Sequence, residues 1–174
     1  MPVLDPDTFA QVAVNVLAVA EACLNDNDPA GAPENVYVSH CRPPDDCCDI
    51  LSVWYEAFRP SRNFPDTSIE PMRCNNLTVA ADLQLEVLRS CYPVVRDNAK
   101  SPFPPPAAIQ AAADNLNITA RVLWCCMLES YDLGLLTPDG SCVDIAFGQM
   151  TPICPRGGCA GWLWNITVAI GPCC

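Results

Sequence analysis

Thirteen cysteines, a single histidine and a few neighbouring acidic residues are the side chains of this 174-residue chain that could do chemistry. His40 precedes Cys41, and a Cys–His nucleophile requires the two side chains within hydrogen-bond reach. Neighbours on an extended strand point to opposite faces, so this pair does not form a dyad by itself. Nothing in the sequence selects a more distant cysteine for His40. The nucleophile-elbow pattern G-x-S-x-G, the phosphate loop G-x-x-x-x-G-K-[ST] and the dinucleotide fingerprint G-x-G-x-x-G are all absent. The expectation is a protein that is not an enzyme, with no catalytic residue and no cofactor.

In Cys154-Pro-Arg-Gly-Gly-Cys159 a Gly-rich turn can bring two sulfurs together at a hairpin, as a local disulfide or as two reduced thiols. Zinc would need two further ligands, and the usual C-x-x-C partner is missing. Cys173 and Cys174 could supply them only if the last strand folded back. Asn27 and Asp28 lack the twelve-residue spacing and closing Glu of a calcium loop, so a solvated loop is expected there and no metal anywhere. The odd cysteine total leaves at least one thiol unpaired within a monomer. Three sequons, at Asn76, Asn117 and Asn165, read as coincidental, two of them falling inside an expected helix and strand.

Composition narrows the class. Nine basic against twenty acidic residues give a formal charge of -11, which repels a phosphate backbone. A hydrophobic share of 51% and a charged share of 17% describe a folded domain with its eighteen prolines in loops. At this length one domain, 1–174, can bury about 70% of its unfolded surface. Asp5 and Asp7 stand where a secretory leader would carry basic residues, and no run of eighteen uninterrupted apolar residues occurs; neither a signal peptide nor a membrane span is expected. Arg outnumbers Lys eight to one, a composition typical of GC-rich genomes.

The elements that must position these residues follow from periodicity. Asp5-Pro6-Asp7 starts a helix over about 6–25, with Phe9, Val12, Ala13, Val16, Leu17, Ala20 and Leu24 on one side. That side suits a sheet and would also serve between subunits. Short strands at 36–38 and 49–58 are expected to form an antiparallel hairpin. Residues 76–92 alternate strictly, Leu77, Val79, Ala81, Leu83, Leu85 and Val87 against Thr78, Asp82, Gln84 and Glu86, which predicts a long half-buried strand. A long helix over about 106–131 carries the seam Ile109, Ala113, Leu116, Ala120, Leu123, Met127, and Leu133-Gly134 supplies its stop. Strands follow at 142–150 and 161–170, the last directing Trp162 and Trp164 with Ile166, Val168 and Ile170 toward the long helix.

The order helix, three strands, helix, two strands predicts an α+β fold: a largely antiparallel sheet of about five strands with two helices packed on one face. Between the second and third strands, 59–73 has three prolines and no apolar period, a functional arm or a mobile surface insertion. Arg59, Arg62 and Arg73 against Asp66 and Glu70 suit a protein surface, and Phe64, Ile69 and Met72 supply apolar anchors for contact between subunits.

This layout, with its irregular arm and the ending CPRGGCAGWLWNITVAI, resembles the tail terminator proteins of long non-contractile-tailed bacteriophages, in particular those of actinobacteriophages. The resemblance covers nearly the full chain. It implies a structural virion protein: a ring, usually of six subunits, assembled in the bacterial cytoplasm at the head-proximal end of the tail. Its partners would be further copies of itself, the tail tube protein and the head–tail connector proteins, with genomic DNA passing through the pore without specific binding and no membrane involved. A head-completion or adaptor protein of the same neck shares this composition. A secreted cysteine-rich binding domain is the competing class, supported by the cysteines and sequons.

Overall fold

A computed structural model describes residues 6–43, 49–61, 64–65, 78–89, 104–138, 143–156 and 158–170. In chain order they form α1 (Pro6–Asn27), β1 (Asn35–Ser39), β2 (Ile50–Ser61), β3 (Thr78–Arg89), α2 (Pro106–Asp132), β4 (Val143–Arg156) and β5 (Cys159–Ile170). The strands make one mixed sheet in the order β1-β2-β3-β5-β4. The fold is α+β, with antiparallel pairing between β2 and β3, β3 and β5, and β4 and β5.

The first two strands correct the hairpin expectation, because β1 runs parallel to β2, with Asn35 opposite Ile50 and Ser39 opposite Trp54. Residues 40–49 carry the chain back beside the start of a strand only five residues long, a shorter return than most parallel crossovers need. Asp49 fixes this arrangement from a left-handed backbone conformation, φ 66°. Its carbonyl accepts from Asn35 N at 3.3 Å and Asn35 Nδ2 at 3.1 Å, and its Oδ2 accepts from Glu34 N at 3.2 Å. One residue thus ties the beginnings of both strands together.

Helical periodicity places the core. Val12, Ala13, Val16, Ala20 and Leu24 of α1 are fully buried and meet Leu51, Val53, Leu83, Leu85 and Val87 of the sheet. Leu123 and Met127 of α2 complete the same cluster over β5. Both helices therefore cover one face. By length and composition α1, mean hydropathy 1.3, could cross a membrane, but its apolar side packs on the sheet as in a core helix. Pro106 opens α2, where its missing N–H has no intrahelical partner to lose. Gly134, at φ 73°, closes it: Gly134 N donates to Tyr131 O and Leu135 N to Ser130 O, both at 2.9 Å, satisfying two terminal carbonyls. A Cys23–Cys126 disulfide joins α1 to α2 across 103 residues, a separation at which loop-entropy arguments give about 4–5 kcal/mol of stabilisation.

β3 occupies the middle of the sheet, and the expected half-burial is exceeded. Its odd positions lie under the helices, while Gln84 and Glu86 on the other face are only 5% and 1% exposed. Arg42 lies on Glu86 and Glu56 on Gln84, so polar partners cover these two side chains. Close approach is also required where β5 crosses β3: a Cβ on Gly161 would fall 1.8 Å from the Val87 carbonyl oxygen. Only glycine fits.

Candidate functional site

The structure gathers exposed apolar groups beside the two sheet edges, and polar pairs across the helix-free face. On the β4 side, α2 lies over β5, so β4 is not roofed by a helix. Trp124 of α2 stacks on Trp164 with centroids 5.1 Å apart, Phe147 of β4 meets Trp164 at 5.1 Å, and Tyr131 meets Phe147 edge-on at 5.8 Å. Trp164 is the buried floor of this group, and its Nε1 donates to Gly148 O at 3.1 Å. Trp124, Tyr131, Leu133 and Leu135 stand exposed around it, Leu133 by 68%. Trp162 shares the helix side, as its parity requires, and donates Nε1 to Leu116 O at 2.8 Å.

Beyond Trp162 the same side opens into an apolar slot of about 240 Å³ between Ala113, Leu116 and Asn117 of α2 and the hairpin residues Pro152, Cys154 and Ala160. At the opposite side of the molecule a second apolar surface forms around β2. The register shifts between Tyr55 and Ala57, so Glu56 is an extra residue in the strand. That shift returns Phe58 to the helix side, where it stacks on Tyr55 at 5.3 Å and meets Phe9 of α1 edge-on at 5.5 Å. Phe58 remains 54% exposed, and Val14 of α1 is exposed by 49%. Partial burial raises the Tyr55 hydroxyl above the usual phenol value by desolvation.

The helix-free face carries charge in pairs. Arg42 donates to Glu86 Oε1 at 2.9 Å, and Arg59 Nε lies 3.0 Å from Asp82 Oδ2. Thr167 Oγ1 donates to Asp82 Oδ1 at 2.9 Å, and Gln84 donates to Glu56. Near the edge of the core, Arg89 bridges Asp28 at 3.2 Å and Asp49 at 3.9 Å. With these three arginines tied to carboxylates, Asp7, Asp26, Glu34, Asp114, Glu129, Asp132 and Asp144 are exposed on a chain of charge -11.

Arg59 is not part of an arm, since β2 continues through Ser61 and sets Arg59 opposite Ala80 with its guanidinium on Asp82. The residue pairs with a sheet carboxylate because the bulge turns Arg59 to the helix-free face, where Asp82 of β3 lies. Phe64 is half-buried in a turn just past β2. Arg62, Ile69, Met72 and Arg73 lie outside the described residues. The Cys154–Cys159 pairing is corrected: Cys154 is a free, exposed thiol, whereas Cys159 is buried and disulfide-bonded elsewhere. Arg156 pairs with Cys159 after a register shift that follows Ile153–Gly161. Cys154 lines the slot on the helix side with Ala160 and Trp162, and Cys159 alternates to the other side of β5.

His40 is exposed, its ring 6.2 Å from Tyr55, and the adjacent Cys41 thiol is free and exposed. Asp28 is buried and bonded to Arg89 and Thr119, not a solvated loop residue. No group of three or more His, Cys, Asp or Glu among the described residues is placed to hold a metal. Sequence reasoning passed over the exposed aromatic group. Its one local signal was Trp124 and Tyr131, seven residues apart on α2 and outside the buried seam. The chain matches no protein-family model and no curated protein.

Proposed function

We propose that this chain is a structural subunit of a closed homo-oligomeric ring, in the role of a tail terminator that caps a phage tail tube and joins it to the head connector. The observation that carries the reading is that, among the described residues, the sheet ends on β1 and β4, each beside a different exposed apolar surface. Two unlike surfaces on one chain suit head-to-tail association, which closes into a ring when the rotation per subunit permits. The family resemblance supplies six copies and the tube as the seat. The acidic surface agrees with a pore through which DNA slides unbound. A head-completion protein of the same neck would share these features.

Light scattering of the purified protein and negative-stain images of virions labelled through the chain test this reading. A ring at the head-proximal end of the tail supports it. A strictly monomeric protein absent from purified particles overturns it. The secreted cysteine-rich binding domain keeps one specific support, the Cys23–Cys126 disulfide and the bonded state of Cys159, since disulfides persist in oxidising surroundings. Thiol titration of freshly isolated native protein separates the classes: near thirteen free thiols fits cytoplasmic assembly, whereas about three, Cys41, Cys125 and Cys154 being unpaired among the described residues, fits the secreted module.

A further inference from the structure

A free thiol sits immediately beside the disulfide that clasps the two helices. Cys125 is exposed and unbonded, and Cys126, the next residue on α2, holds Cys23 of α1 with a Cα–Cα separation of 5.8 Å. Cys125 and Cys126 line one open cavity of about 240 Å³ with Arg121, Val122 and Glu129 of α2 and Asn27 of α1. Asn27 lies one turn beyond Cys23 and donates Nδ2 to the Cys23 carbonyl at 3.2 Å. Cys125 therefore faces the end of α1 that carries the disulfide and opens to solvent through the same cavity.

We propose that this clasp has two settings, Cys23–Cys126 and Cys23–Cys125, interconverted by internal thiol–disulfide exchange. The Cys125 thiolate attacks Cys23 Sγ, the Cys23–Cys126 bond breaks, and the electron pair departs on Cys126. The proton Cys125 gave to solvent is replaced by one taken up at Cys126, so no oxidant or reductant is consumed. Attack on Cys126 itself is disfavoured, because consecutive side chains on a helix diverge by about 100°. Cα atoms of neighbouring residues are about 3.8 Å apart, so a local turn of the α2 backbone at 125–126, through up to about 100°, exchanges which cysteine stands within disulfide range of Cys23.

That rotation has a local reporter. Trp124 precedes Cys125, stacks on Trp164 with an interplanar angle of 18°, and forms part of the exposed aromatic surface beside β4. Drawing Cys125 toward α1 turns Trp124 with it and loosens the stack. The exchange thus couples the state of the clasp to the presentation of that surface, whatever the surface binds.

Acid quenching of the oxidised full-length protein, alkylation of free thiols, non-reducing digestion and fragmentation between residues 125 and 126 read the linkages directly. Both should be present, the minor one in about 0.1–10% of molecules, the population of a second state a few kcal/mol away. In a glutathione buffer Cys125→Ser and Cys126→Ser should each retain an α1–α2 cross-link, and the two variants should differ in tryptophan fluorescence. A parent protein holding Cys23–Cys126 alone overturns the proposal, whether or not Cys126→Ser cross-links. Alkylation of both Cys23 and Cys125 in oxidised Cys126→Ser overturns it independently, and equal fluorescence in two cross-linked variants overturns the coupling to Trp124.

Discussion

Replacing Arg89 with Met should destabilise the protein by about 3 kcal/mol, because it strands a carboxylate that the fold has buried. Arg89 is the point where four segments meet: it bonds Asp28 and the Gly31 carbonyl after α1 and Asp49 before β2 from its own place on β3, and Thr119 of α2 donates to the same Asp28 oxygen. The side chains of Arg89 and Asp28 are 8% and 3% exposed. Removing one partner of a buried pair costs about 3–5 kcal/mol in general. The low end applies here because Ala30 N still donates to Asp28 Oδ1 at 2.9 Å and Thr119 still donates to Oδ2. For a domain of this size each kcal/mol moves Tm by about 2–4 °C, so the single variant should melt roughly 6–12 °C lower. Asp28→Leu in the Arg89→Met background should recover much of that loss, since no charge then remains unpaired. Calorimetry and urea titration of the four proteins in the cycle decide the matter. A loss under about 1 kcal/mol in the single variant, or simple additivity of the two, would refute the reasoning.

Three further outcomes are expected. Trp164→Ala removes the buried floor of the aromatic group and should cost about 3–5 kcal/mol, whereas Thr167→Val, which loses one half-buried hydrogen bond to Asp82, should cost about 1 kcal/mol; equal small losses would show the faces of β5 reversed. Gly161→Ala puts a carbon into the Val87 carbonyl and should prevent native pairing of β5 with β3, read as loss of soluble protein or of slow amide exchange in both strands, while Gly148→Ala, whose nearest contact is 3.2 Å, should fold. Because the Tyr55 phenol is raised above 10.0 in the folded state, its share of stability is intact below pH 10 and declines as the pH rises toward the folded value; Tyr55→Phe should flatten that decline in urea titrations at increasing pH. An unchanged profile would remove Tyr55 from the account.

Local patterns in the sequence determined the elements, because periodicity and end signals act within a few residues of one another. The Pro106 start and Gly134 stop of α2, the alternation of β3 and the shared parity of Trp162 and Trp164 are each such patterns, and each appears in the fold as read; the α2 seam does so at Leu116, Leu123 and Met127, with Ala112 and Thr119 buried in place of Ala113 and Ala120. Pairing partners lie outside that range. The parallel setting of β1 depends on Asp49 bonding Asn35 and Glu34 from the far end of a ten-residue connection. Arg59 left the expected arm because β2 continues through Ser61, and the extra residue Glu56 turned its guanidinium onto Asp82. Spacing alone drew Cys154 and Cys159 together, but strand alternation around the β4–β5 hairpin divides them, and Cys23 found Cys126 across 103 residues instead. The buried Asp28–Arg89 pair and the exposed aromatic group beside β4 likewise join residues remote in the chain. Sequence determined which segments are helical or extended and which faces are apolar; only the packing of those faces decided partners, because charge, sulfur and aromatic contacts are settled by distance in space.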